Sequence, residues 1–193
     1  MATSDHSGHI RKLRSRDRDA FRDHLLRLDP ETRRSRFAMA TNDDFIRRYS
    51  DSSFKSDSII HGYFVEATLR GVGELRMLDV VHHDAEAAFS VEGPWQGTGI
   101  GSDLMAHTLL TARNRGISRV YMSCLGSNRS MQRLARSHGA ELEFEAGEVI
   151  GLVLPAQPSP SSLVREAVAD STEWATAVFD MQRRMLGVGA PRS

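Results

Sequence analysis

Cysteine is nearly missing from this chain, in which Cys124 stands alone. One thiol excludes an intramolecular disulfide framework and leaves no cysteine cluster for structural zinc. Lysine is almost as scarce: Lys12 and Lys55 are the only two among 25 basic residues, the rest being arginine. That bias suits an enzyme that must not modify itself, and more simply a GC-rich coding sequence. No sign of charge prevails, because 25 basic and 25 acidic residues balance, so no global field favours nucleic acid or an anionic membrane surface. Apolar runs long enough to span a bilayer are also missing. The polar opening "MATSDHSGH" lacks the apolar centre of a signal peptide and reads as a disordered start, residues 1–9, of a cytoplasmic protein. What is there, 193 residues at 40% hydrophobic and 26% charged, is the composition of an ordinary globular protein with one full core.

Along the chain, "HIRKLR" reads as an opening strand that brings Ile10 and Leu13 to the core. Helical spacing follows at Ala20, Phe21, Leu25 and Leu28. Asp29 as N-cap, Pro30 at the first helical position and Glu31 in the first turn start a second helix. A third, short helix is predicted over Asn42–Tyr49, with Asp43 and Asp44 at its start. The period then changes. "SIIHGYFVEATLRGVGELRML" is β-branched and aromatic and reads as two strands, Ile59–Glu66 and Leu69–Leu78. "AEAAFSV" is a third strand of this run, after a His82–His83–Asp84 turn; adjacent histidines there are polar turn residues and call for no metal. Ile100, Leu104, Thr108 and Ala112 line one face of a helix that stops at Arg113, Arg115 and Gly116. Strand "SRVYMSCL", a helix from Ser127 to His138, and two strands around Ala146–Gly147 complete residues 10–154. A Pro/Ser linker, 155–162, leads to an amphipathic tail, 163–193, with Leu163, Ala167, Trp174, Val178, Met181 and Met185 on one stripe. That tail could serve as a dimer contact, a lid, or a helix docked on its own sheet.

The loop "GPWQGTGIG" carries the chemistry. Glycine-rich turns before helices expose backbone N–H groups to phosphate. A P-loop needs Lys-Ser/Thr after its last glycine, and Gly101 is followed by Ser102–Asp103. A dinucleotide fingerprint needs G-x-G-x-x-G after a buried parallel strand. Gly97-x-Gly99-x-x-Ser102 lacks the third glycine, and "AEAAFSV" alternates instead of running apolar. The remaining pattern, Q/R-x-x-G-x-G/A, is matched in full by Gln96-Gly97-Thr98-Gly99-Ile100-Gly101.

On that loop, the strand before it, "GIGSDLM" after it, and the downstream "SRVYMSCL" and "SNRSMQRLARSHGAEL", residues 10–154 resemble the GNAT superfamily of N-acetyltransferases. The resemblance implies an α/β fold, a mixed, twisted, mostly antiparallel sheet of about seven strands flanked by helices, here with a C-terminal helical extension. It implies acetyl-coenzyme A as co-substrate, with no metal. Its pyrophosphate would lie on Gln96, Gly97, Thr98, Gly99, Ile100, Gly101 and Ser102, its pantetheine amides along the backbone of Phe89–Val91, and Asn128 would contact it; a helix cap is an equal reading of Asn128. The acceptor would be a primary amine of a small molecule or a protein. "LRLDPETRRSRF" resembles the start of such domains in some bacterial protein-lysine acetyltransferases.

Acetyl transfer to an amine sets its own demands. An alkylamine of pKa near 10.4 is neutral about one part in a few thousand at pH 7, roughly 4–5 kcal/mol, so a base or a relayed water is expected. Glu92, directly after the strand, and Glu74, on the neighbouring strand with Arg76 at i+2 on its face, are the two candidates, beside water or neither. The resemblance implies an oxyanion donor at a backbone N–H ending the strand before the loop, which makes Val91 N–H the candidate by position. The family's tyrosine acid falls at Ala135, a departure that leaves Cys124, Tyr121 or water to protonate the thiolate. The same departure keeps open a module that binds the acyl donor without turnover.

Overall fold

The computed structural model describes residues 8–55, 58–79 and 81–168. Of the disordered start expected over residues 1–9, residues 1–7 lie outside the described residues, as does the amphipathic stripe beyond 168 with Trp174, Val178, Met181 and Met185, whereas His9 already belongs to the first strand. Seven strands form one sheet: β1 (His9–Lys12), β2 (Ser58–Val65), β3 (Thr68–Asp79), β4 (Asp84–Val91), β5 (Arg119–Leu125), β6 (Glu141–Glu145) and β7 (Glu148–Val153). Their order is β1-β2-β3-β4-β5-β7-β6. Every pair is antiparallel except β4–β5, which is parallel. Helices α1 (Arg18–Arg27), α2 (Pro30–Phe37) and α3 (Asp43–Ser53) precede β2, α4 (Ile100–Asn114) joins β4 to β5, and α5 (Arg129–Ser137) follows β5.

Two apolar clusters sit on opposite faces of the sheet. Phe21, Leu25 and Ile46 of the first helices pack with Ile60, Phe64 and Val72. Leu75, Ala87, Val120 and Met122 meet Met105 and Ala112 of α4 and Ala135 of α5. The stripe read on α4 is the buried one: Ile100, Leu104, Thr108 and Ala112 are each no more than 2% exposed. Close approach of α4 needs the absence of a side chain at Gly73, where an added Cβ would stand 2.8 Å from Thr108 Oγ1.

Local signals place most boundaries. Asp29 caps α2 by accepting from Thr32 N–H at 2.8 Å. Asn42 caps α3, which runs one turn past the predicted Tyr49. In this added turn the Ser50 and Ser53 hydroxyls donate back to the carbonyls of Ile46 and Tyr49. Helical residues resume at 160, within the segment read as linker, since Ser159 and Ser162 cap that start reciprocally. Glu166 then ties this helical segment to Thr111 and Asn114 of α4 and to Arg115 just after it. No helix among the described residues is long and apolar enough to cross a membrane.

Candidate active site

The parallel pair β4–β5 is short. It is in register only at Asp84–Glu86 against Arg119–Tyr121, whereas β4 stays paired with β3 as far as Val91. Beyond Glu86 the two strands therefore part, and one backbone edge of β4 faces an opening. The direction of that edge follows from period two. Glu92 N–H donates to Arg70 C=O on the β3 side at 3.0 Å, so the amides of Ser90 and Ala88 share that direction and those of Phe89 and Val91 point into the opening. Their side chains face α4, packed with Ile100 and Leu104.

The glycine loop closes the same end of the opening. Gly97 and Gly99 hold φ of +75° and +97°, values at which an L side chain is strained although space is free. Among the described residues the N–H groups of 97–101 have no protein acceptor, and the first helical closure is Ser102 N–H to Gly99 C=O at 2.9 Å. The start of α4 adds its dipole to that row. The side chains of this loop are occupied otherwise. Gln96 Nε2 donates to Val91 C=O at 2.9 Å and to Thr32 Oγ1 at 3.2 Å, tying the loop to β4 and α2. Thr98 Oγ1 donates to Trp95 C=O, and Ile100 is buried in the core. Ser102 Oγ lies 2.9 Å from His138 Nε2. Asn128, on the far lip after β5, caps α5 by accepting from Met131 N–H at 3.0 Å.

The sequence profile of the acetyltransferase (GNAT) family matches residues 20–140, more than half of the chain. This chain belongs to the GNAT family. An acetyltransferase of Pseudomonas aeruginosa is 29% identical over 138 residues, 67% of this chain and 73% of that protein. Among solved structures, the GNAT domain of S. lividans PAT superposes with a TM-score of 0.65 at 21% identity, covering 75% of this chain and 89% of its own. The spermidine N-acetyltransferase of Vibrio cholerae, solved with CoA and spermine, superposes at 0.62 with 16% identity, covering 77% and 95%. The fold is the GNAT fold, and the protein is an acyltransferase.

Both candidate carboxylates of this GNAT enzyme lie under the first helices. Glu92 is 5% exposed. Its Oε1 accepts from His24 Nδ1 at 3.2 Å and Arg27 Nε at 2.9 Å, and its Oε2 from Arg70 Nη1 at 2.8 Å. Burial alone would raise its pKa, but the hydrogen bonds from His24, Arg70 and Arg27 more than reverse that and hold it at about 2. Glu74 is likewise 5% exposed. The Arg76 partner expected for it is instead paired across the strands with Glu86, at 2.8 Å. A residue at i+2 shares a strand face yet lies too far along it to compete with a direct cross-strand neighbour. Arg36 of α2 and Tyr49 of α3 hold Glu74 Oε2 at 3.0 and 2.7 Å. Burial drives the Tyr49 phenol up to about 12, so it stays a donor.

His24, Arg27, Arg36, Tyr49 and Arg70 were not singled out from the sequence. One signal was available for His24: it lies on the apolar stripe of α1 beside Phe21 and Leu25, and all three are fully buried. Ala135, at the tyrosine position of the family, is 2% exposed and packs in the core. Cys124 is buried, and burial pushes its thiol pKa up.

Proposed function

We propose that this acyltransferase moves an acetyl group from acetyl-coenzyme A to a primary amine by direct attack, in the cytoplasm. The observation that carries the reading is the row of unpartnered N–H groups at 97–101, continuous with the open β4 edge at Phe89 and Val91. Those residues fit an acyl-coenzyme A: anionic pyrophosphate oxygens suit the converging amides at a helix start, and an extended pantetheine suits an unpaired strand edge. When bound, the co-substrate supplies an activated acetyl thioester. The neutral amine nitrogen gains the new N–C bond and gives up one proton, while the S–C bond breaks with its electron pair on sulfur and the coenzyme A thiolate takes a proton from water.

Val91 N–H, aimed into the opening, is the donor to the acyl carbonyl oxygen as charge builds on it. For the proton, the partners of the two carboxylates favour Glu74. Both oxygens of Glu92 are engaged by cationic or N–H donors, and a group at about 2 is a weak base. Glu74 Oε1 has no hydrogen-bond partner among the described residues, leaving it open to the amine or a relaying water. Glu92 anchors the corner where β4 leaves the sheet. A primary amine acceptor is in keeping with the spermidine acetyltransferase of V. cholerae.

The test is coenzyme A release from acetyl-coenzyme A in the presence of a panel of primary amines, from polyamines to lysine peptides. Amine-stimulated release by the wild type, abolished or strongly slowed in Glu74→Gln, is the expected result. Tight binding with no amine-stimulated release would overturn the proposal.

A further inference from the structure

Ser90 and Glu92 flank Val91, and one buried imidazole touches both. His24 Nε2 lies 2.9 Å from Ser90 Oγ, and its Nδ1 lies 3.2 Å from Glu92 Oε1. An ionised carboxylate only accepts, so Nδ1 carries the proton and Nε2 accepts from the Ser90 hydroxyl. Arg27 completes the grip, donating to Glu92 and to Leu69 C=O at 2.8 Å. The connectivity Ser90–His24–Glu92 is that of a nucleophile, a base and an orienting acid. Burial argues against that use, since His24, which would have to serve as the base, is 0% exposed beneath the Ser90 hydroxyl.

Holding is the remaining role, and this stretch of strand needs it. Beyond Glu86, β4 has a ladder on its β3 side alone. Side chains alternate along a strand, so fixing those of 90 and 92 from the α1 face fixes the peptide planes on both sides of Val91. We propose that His24 is a positioning residue for acyl transfer: by bridging Ser90 and Glu92 from beneath, it sets the aim of Val91 N–H at the acyl carbonyl oxygen. The inference rests on the reading above that an acyl thioester lies along β4.

The experiment uses the full chain and [1-13C]acetyl-coenzyme A. Difference infrared spectroscopy reads the labelled carbonyl stretch, which moves to lower frequency when a donor is aimed at the oxygen, and calorimetry gives the dissociation constant. His24→Asn keeps an N–H toward Glu92 and loses the acceptor for Ser90; Ser90→Ala removes only a hydroxyl. For the wild type a clear downshift is expected. Both variants should bind within about threefold of wild type, and His24→Asn should lose about half the downshift or more. With an amine acceptor, its kcat should fall about tenfold or more with KM little changed, short of the ~10²–10³ for deleting an oxyanion donor outright. A wild-type downshift in both variants overturns the role of His24. If His24→Asn does not fold, an unchanged downshift in Ser90→Ala alone overturns it. Failure of the wild type to bind acetyl-coenzyme A at all overturns the underlying reading as well, and is seen before any variant is made.

Discussion

Replacing Glu92 by glutamine separates an anchor from a base. In the folded protein the carboxyl is held at about 2 against an ordinary 4.5, which at about 1.4 kcal/mol per tenfold change corresponds to roughly 3 kcal/mol of folding free energy at neutral pH. Removing the charge also leaves Arg27 and Arg70 without their common partner. Their side chains are 39% and 28% exposed and can turn toward water, which keeps the loss near that figure instead of well above it. A chain of this size loses ~2–4 °C per kcal/mol, so Glu92→Gln should melt roughly 6–12 °C below wild type at pH 7. The pH dependence has a definite sign. A depressed carboxyl pKa stabilises the fold above the unfolded value near 4.5, and the effect is lost as pH falls through the folded value near 2. The gap between the two melting curves should therefore stay constant from pH 7 to 5 and narrow toward pH 3. Scanning calorimetry at several pH values makes the comparison. A gap under about 2 °C at pH 7, or one that does not narrow in acid, would refute the anchoring role.

Other substitutions probe separate parts of the site. Gly99→Ala places a methyl group at φ +97°, a strain of about 1–2 kcal/mol, and should weaken acetyl-coenzyme A binding roughly 5- to 30-fold by calorimetry. Glu74→Gln should lower kcat for amine acetylation by about 10²–10⁴-fold while the acetyl-coenzyme A dissociation constant changes little. Asn128→Ala removes the acceptor for Met131 N–H and should cost about 1 kcal/mol, read as a small drop in melting temperature.

Elements with local chemistry were legible in the sequence. Asp29–Pro30, the Gly116 stop at φ +67°, and the stripe on α4 each carry their own instruction. The Ala146–Gly147 turn was legible through its glycine. The β2–β3 turn was harder to place, because Glu66 and Ala67 take φ of +47° and +62° without the Asn-Gly pair that such a turn prefers. Sheet order was beyond local reading too, since β7 lies between β5 and β6. The glycine loop announced the site because backbone amides need only a chain path, which glycines write locally. The carboxylates' surroundings were not legible. Arg36 reaches Glu74 across 38 residues, and His24 reaches Glu92 across 68. Such pairs arise from the packing of α1–α3 on the sheet and leave no spacing signal in the chain.

Acetyl-coenzyme A is proposed to lie along the open edge of β4 with its pyrophosphate on the glycine loop. Amide hydrogen exchange with and without acetyl-coenzyme A tests it most directly. Slowed exchange at Phe89, Val91 and 97–101 on adding the co-substrate is the expected result. Binding that leaves those amides exchanging as before, with protection elsewhere, would overturn that placement.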